Sequence, residues 1–187
     1  MYCKAVRGVT QLITKVLFDT VDTIILNPGK IDKLIVILDA EELEAEERKK
    51  KVTDAINSKY KGRQFDFEIV VLVSNHCFET WLLGCVGLYP QDCVDEKSFF
   101  YEYYNHYNIE RLNPEDMKPP AGSSETIAKY HFHYLHELLR YKKVRYSKNK
   151  PDNVATKQYF DEMVERINST SHEQSFREFY DFILSIK

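Results

Sequence analysis

A short, uninterrupted apolar stretch that ends in acids constrains this chain more than any other feature. Its residues, Leu34 to Leu38, are all aliphatic, and Asp39, Glu41 and Glu42 follow almost at once. A continuous apolar run of this length indicates a strand buried on both faces, as in a parallel sheet. Open α/β sheets bind ligands beyond the carboxyl ends of such strands. The acids therefore mark a candidate site, and the alternative is a strand that ends in an ordinary polar loop.

The first half of the chain alternates strand patterns with helix patterns. Strands are predicted near Tyr2–Val6, at Leu34–Leu38 and at Glu68–Val73; helices are predicted from Val9 to Val21, from Glu41 to Lys59 and after Ser74. Strands that alternate with helices predict a parallel sheet with right-handed crossovers.

The second half has a different character. After Pro90 the alternation stops, and helices are predicted over residues 124–143, 153–168 and 172–186. With 187 residues and 43% hydrophobic residues, the chain can build a substantial core. We therefore predict an α/β core over residues 1–90 and a helical extension over residues 91–187 that packs on it.

Composition narrows the functional classes. The net charge of −3 means that any contact with nucleic acid must come from a local basic patch. Lys4 and Arg7 interrupt any secretory h-region, and no apolar run reaches transmembrane length. The four cysteines form no CxxC pair, which argues against a zinc site. We expect a cytoplasmic protein with reduced thiols and no membrane contact.

The acids after the first strand suit a hard cation. Asp39, Glu41 and Glu42 could together offer several carboxylate oxygens to Mg²⁺, or to Mn²⁺ in its place. Such an ion would polarise a phosphodiester and activate water. No GxxxxGK[ST] motif accompanies the strand, which excludes a P-loop.

A second candidate carboxylate is Glu79, which lies in an apolar helical segment beside Phe78 and Trp81. Burying such a charge is costly unless it has a partner. One interpretation is a functional carboxylate aimed at the edge of the sheet. The other is a first-turn glutamate that the helix dipole favours, and the sequence leaves both open.

A basic run from Arg140 to Lys150 contains six cations and two tyrosines. Cations neutralise phosphates and tyrosines stack on bases, so the run is a candidate nucleic-acid contact. The alternative is a solvated helix end. The predicted contacts are Arg140, Lys142, Lys143, Arg145 and Lys148.

In this order, the motifs resemble a known family. The segment Leu38–Glu41 resembles the DxD motif of Toprim domains, the metal-binding fold of topoisomerases, primases and several nucleases. Phe78–Leu83 is similar to the FE-x-W-L-L element of RloB-like Toprim proteins, and Tyr146–Lys148 and Ser175–Phe179 also resemble that branch. The resemblance implies a Toprim-like, Rossmann-like parallel sheet flanked by helices and a metal-dependent nuclease-type activity. It also implies a role in phage defence, often beside an ATPase partner.

The chain departs from this family at its beginning. Members start with E-G-x-T-E, and the corresponding segment here runs from Arg7 through Gly8 to Gln11, with both glutamates replaced. In the family the first glutamate is implicated in acid–base catalysis and in the metal site. Arginine neither accepts a proton nor binds a cation at neutral pH. The resemblance thus implies a nuclease fold with a degenerate motif.

Two main hypotheses follow. In the first, the protein is a Mg²⁺-dependent nuclease in which Asp39 and Glu41 hold the cation and Glu79 replaces the lost carboxylate. In the second, it is a catalytically degenerate binding or regulatory subunit, and the guanidinium of Arg7 takes the place of the cation. A third hypothesis is a small-molecule-binding α/β domain with no nucleic-acid role.

Overall fold

The computed structural model describes residues 8–90 and 92–186, and its centre is a parallel pair of strands. Strand β1 (Lys33–Asp39) pairs with β2 (Glu68–Ser74), and within the described ranges these two strands make up the whole sheet. The register places Asp39 opposite Ser74, so both strands end at the same edge. The helices are α1 (Val9–Gln11, the π-helical turn Leu12–Val16 and Leu17–Ile25), α2 (Ala45–Tyr60), α3 (Phe78–Leu83), α4 (Tyr101–His106), α5 (Ile127–Tyr141), α6 (Lys157–Ser169) and α7 (Gln174–Ser185).

Helices α1 and α2 cover one face of the sheet. Val21 of α1 and Val52 of α2 are completely buried in a cluster that also contains Val36 and Leu38 of β1. The apolar residues of α1 recur at helical spacing, which gives this helix one apolar face. Helix α2 ends where Lys61 takes a left-handed conformation, as is common at helix C-termini.

A second hydrophobic cluster lies among the remaining helices. Trp81 of α3 packs there with residues of α5, α6 and α7, and its indole Nε1 donates to Ser175 Oγ at 2.7 Å. The backbone N–H of Asn75 donates to the same hydroxyl, so α7 is attached to the end of β2. Val73 of β2 belongs to the first cluster and Trp81 of α3 belongs to the second. The predicted domain boundary at residue 90 stays a prediction.

The structure corrects the expected burial of the first strand. Val36 and Leu38 face the core, but the side chains of Ile35 and Ile37 are 37% and 49% exposed. The strand is therefore buried on one face only. Helix α7 packs on β2 and leaves the outer face of β1 open.

The coarse architecture is confirmed: the chain is α/β, with a parallel sheet flanked by helices and a helical second half. The predicted strand at Tyr2–Val6 lies outside the described residues. Helix α2 begins later than predicted because Glu41 has a left-handed φ of 57°. No helix in the described ranges has the length and apolar character needed to cross a bilayer. The Toprim-like topology stays a prediction.

Candidate functional site

Two polar side chains meet where the parallel strands end. Asp39 is the last residue of β1 and Ser74 is the last residue of β2. The Ser74 hydroxyl donates a hydrogen bond to Asp39 Oδ1 at 2.7 Å. Because residues opposite each other in the ladder share a face, the register itself holds this contact in place. The edge of the sheet thus presents an oriented carboxylate.

A second carboxylate, Glu79, faces the same edge from α3. Its side chain is only 3% exposed. Tyr146 donates its hydroxyl to Glu79 Oε1 at 2.9 Å, and Lys148 Nζ lies 3.1 Å from Oε1 and 3.3 Å from Oε2. A charge this deeply buried needs such partners. The helix dipole in the first turn of α3 is therefore not the only stabilising contact of the Glu79 carboxylate, because two side chains from a distant loop also bind it.

The charge of Glu79 acts on Asp39. Burial raises the pKa of Asp39 and the charge of Glu79 raises it further, whereas the Ser74 hydrogen bond and the Lys148 ammonium act in the opposite direction. The Lys148 ammonium also lies over the Phe132 ring, 5.1 Å from its centroid. In the part of the chain that the structure describes, one ammonium group therefore faces two carboxylates, and the net effect is a raised pKa of Asp39.

The other predicted acids lie elsewhere. Glu41 turns away from β1 at its left-handed φ, and its Oε2 lies 3.3 Å from Arg48 Nη2. The same guanidinium group donates to the Ala40 carbonyl, and Glu42 is exposed.

Across residues 8–90 and 92–186, no group of three or more His, Cys, Asp or Glu side chains is arranged to hold a metal ion. The predicted site of Asp39, Glu41 and Glu42 is therefore not assembled. Arg48 provides the physical reason, because its guanidinium binds the Glu41 side chain beside the strand end.

The basic run does not form one continuous nucleic-acid surface. Arg140 pairs with Glu137, and Lys142 donates to the Tyr89 carbonyl at 2.8 Å. Lys148 pairs with Glu79. Of the five predicted contacts, only the side chains of Lys143 and Arg145 remain exposed without a polar partner among the described residues.

The segment from Arg7 to Gln11, which corresponds to the E-G-x-T-E motif of the family, is described from Gly8 onward. Arg7 lies outside the described residues, so its expected pairing with the acids stays a prediction. Gly8 adopts a φ of 86°, a conformation that glycine allows readily. Gln11 is exposed at the beginning of α1.

Several residues of the site were not singled out by sequence. The strand register places Ser74 beside Asp39, and the packing of α5 places Phe132 beside Lys148. No short sequence motif marks either residue as part of a site. Cys77 precedes α3, and burial raises the pKa of its thiol to about 12, so the thiol is neutral. Tyr146 appears in the resemblance, but its bond to Glu79 joins residues 67 positions apart.

Comparisons with protein-family models, with curated proteins and with solved structures gave no significant match to this chain.

Proposed function

We propose that this chain is a metal-dependent protein that acts on phosphodiester bonds in nucleic acid, with Asp39 and Glu79 at its centre. One observation carries the proposal. Two carboxylates from different elements face the same carboxyl edge of a parallel sheet, and within residues 8–90 and 92–186 one ammonium group, that of Lys148, faces them. Ligand sites of α/β sheets occur at this edge.

The two carboxylates fit a magnesium ion. Mg²⁺ is commonly held by one or two carboxylates and completes its octahedral shell with water and substrate phosphate. Burial is the main cause of the raised pKa of Asp39, and the negative charge of Glu79 adds to the shift. A bound ion would polarise a phosphodiester and lower the pKa of water.

The protein's own groups would orient the acids. The Ser74 hydroxyl fixes Asp39, and the Tyr146 hydroxyl fixes Glu79. Lys148 differs from both because its side chain is 59% exposed, so its ammonium can exchange partners. Asp39 and Glu79 would hold the ion, and Lys148, released from Glu79, would be able to contact a substrate phosphate.

The test compares metal binding and cleavage in matched variants. Asp39→Asn keeps the oxygen that accepts from Ser74 but removes the charge, and Glu42→Gln removes an exposed acid outside the site. We expect calorimetry to show Mn²⁺ binding that Asp39→Asn weakens at least tenfold and Glu42→Gln leaves unchanged. Cleavage of plasmid DNA or of RNA with Mg²⁺ should follow the same order. Equal cleavage by both variants would contradict the proposal.

A second candidate function is a metal-free binding or regulatory module. The observation that favours it is the Lys148 ammonium, which already lies where a cation would neutralise Glu79. The sequence leads us to expect Arg7 to replace the cation in this way, whereas in the structure Lys148, from the second half of the chain, pairs with an acid of the site. The ATPase partner and the role in phage defence depend on the resemblance alone.

Lys148→Met separates the two candidates. If a metal ion competes with the ammonium for Glu79, this variant should bind Mn²⁺ more tightly than the wild type. If the site is metal-free, neither protein should bind Mn²⁺, and the variant should only lose stability. Calorimetry together with urea unfolding distinguishes these results.

A further inference from the structure

A small cavity lies beside the Asp39–Glu79 site in the loop that carries Lys148. Its volume is about 250 Å³, and it opens to solvent. The lining residues are Arg145, Tyr146, Ser147, Lys150, Asp152 and Asn153. We call this the loop cavity. The polar groups of these residues are two cations, one carboxylate, a serine hydroxyl, a tyrosine hydroxyl and a side-chain amide.

The two cations of the loop cavity are available for a ligand. Among the described residues, neither Arg145 nor Lys150 has a side-chain hydrogen bond or an ion pair. Asp152 lines the same cavity but makes an ion pair with neither of them within the described ranges. A guanidinium and an ammonium with hydroxyl and amide donors beside them match the oxygens of a phosphate group.

The backbone around the loop cavity is held in place before any ligand arrives. The Lys150 N–H donates to the Ser147 carbonyl at 2.9 Å, and Asn153 Nδ2 donates to the Arg145 carbonyl at 2.9 Å. Val154, directly after the cavity, is buried in the helical cluster. A loop with these contacts loses less conformational freedom on binding.

One side chain joins the loop cavity to the acids. Tyr146 lines the cavity, and its hydroxyl bonds to Glu79. A phosphate in the cavity would therefore lie next to the site that we assign to the reacting phosphodiester.

We infer that the loop cavity binds one backbone phosphate of a nucleic-acid strand through Arg145 and Lys150. This inference depends on the proposed function for the identity of its ligand. It does not depend on the metal, because no carboxylate of the Asp39–Glu79 pair lines the cavity.

The experiment measures binding of the full chain to a fluorescein-labelled single-stranded oligonucleotide by anisotropy, in EDTA and over a range of salt. Arg145→Gln and Lys150→Gln should each weaken binding about tenfold, the effect expected for one charge-assisted hydrogen bond. Asp152→Asn should strengthen it. The matched control is Lys143→Gln, which removes an exposed cation of the same run that does not line the cavity.

Salt dependence tests whether a single phosphate is bound. The slope of log K against log salt should fall by about 0.7 in the double variant of Arg145 and Lys150, the value for one phosphate of a single strand. A Lys143→Gln effect as large as that of Arg145→Gln would show diffuse binding and overturn the inference. So would the absence of binding in EDTA. A lipid headgroup is the other possible ligand. If the wild type binds phosphatidylserine vesicles but not the oligonucleotide, and the Arg145 and Lys150 variants lose vesicle binding, the cavity binds a lipid headgroup and the inference is overturned.

The two proposals fail separately. If Asp39→Asn changes neither metal binding nor cleavage, the metal-dependent function fails. Binding in EDTA that depends on Arg145 and Lys150 would still support the loop cavity.

Discussion

Replacing Glu173 by glutamine tests how this fold accommodates a buried acid. The Glu173 side chain is completely buried, and neither carboxylate oxygen has a hydrogen-bond partner among the described residues. Burial raises the pKa of Glu173 well above its usual range, and the nearby Glu115 carboxylate raises it further, although Arg166 opposes the shift. The folded protein therefore keeps a proton on Glu173 at pH values where the unfolded chain has lost it.

The direction of the effect on stability follows from proton binding. Above the ordinary pKa of a glutamate, the unfolded state binds fewer protons than the folded state, so the free energy of unfolding decreases as pH rises. The decrease attributable to Glu173 is about 1.4 kcal/mol per pH unit while the folded carboxyl stays protonated. Glu173→Gln removes this dependence. The buried amide has unsatisfied N–H groups that cost about 1–3 kcal/mol, but this cost is the same at every pH.

Urea unfolding at several pH values between about 5 and 7 gives the free energies. We expect Glu173→Gln to gain stability relative to the wild type as pH rises. Plotted against pH, the free energies of unfolding of the two proteins should differ in slope by up to about 1.4 kcal/mol per pH unit. The control is Glu42→Gln, which replaces an exposed acid and should leave the slope of the wild type. Parallel curves for the wild type and Glu173→Gln would refute the reasoning, because they would show that Glu173 binds protons equally in the folded and unfolded states.

Three further predictions concern packing, the Glu79 ion pair and thiol reactivity. Gly84→Ala should lower the free energy of unfolding in urea by about 1–3 kcal/mol, because the added Cβ would collide with the carboxylate of the fully buried Glu173; an unchanged midpoint would contradict this. Lys148→Met should lower the free energy of unfolding by about 3 kcal/mol, because it leaves the buried Glu79 carboxylate without its counter-ion, and a double-mutant cycle with Glu79→Gln should show coupling, whereas additive effects would not fit the pair. When the native proteins are titrated with a thiol reagent, Cys93→Ser should lack one fast-reacting thiol that the wild type has, because Cys93 is exposed; an unchanged rapid phase would contradict this.

The elements of the fold could largely be predicted from local pattern. The aliphatic run before Asp39 and the second run from Glu68 both form strands, because β-branched apolar side chains suit a pleated, buried surface. The burial of β1 could not be predicted in the same way. Exposure of Ile35 and Ile37 depends on where α7 packs, and this is decided by contacts between residues far apart in sequence.

In the candidate site, too, local features could be predicted from the sequence, whereas contacts between distant residues could not. The positions of Asp39 at a strand end and Glu79 at a helix start are local features, and sequence identified both. The partners of Glu79 could not be found from spacing, because Tyr146 and Lys148 reach it from a loop more than sixty residues later. The loss of Glu41 from the site has a similar origin, since Arg48 binds it from the first turn of α2.

The charge balance at the sheet edge links the proposed function to stability. Because burial and Glu79 raise the pKa of Asp39, ionising Asp39 disfavours the folded state, and this contribution grows as pH rises from the ordinary aspartate pKa through the raised one. A cation that binds only the folded protein would offset it, stabilising the fold by an amount that depends on concentration. Since a carboxylate must lose its proton to bind a metal, affinity should rise over the same pH interval. Lys148 pairs with Glu79 from a solvent-exposed loop, so a metal ion that displaced its ammonium would have to balance the charges of both acids.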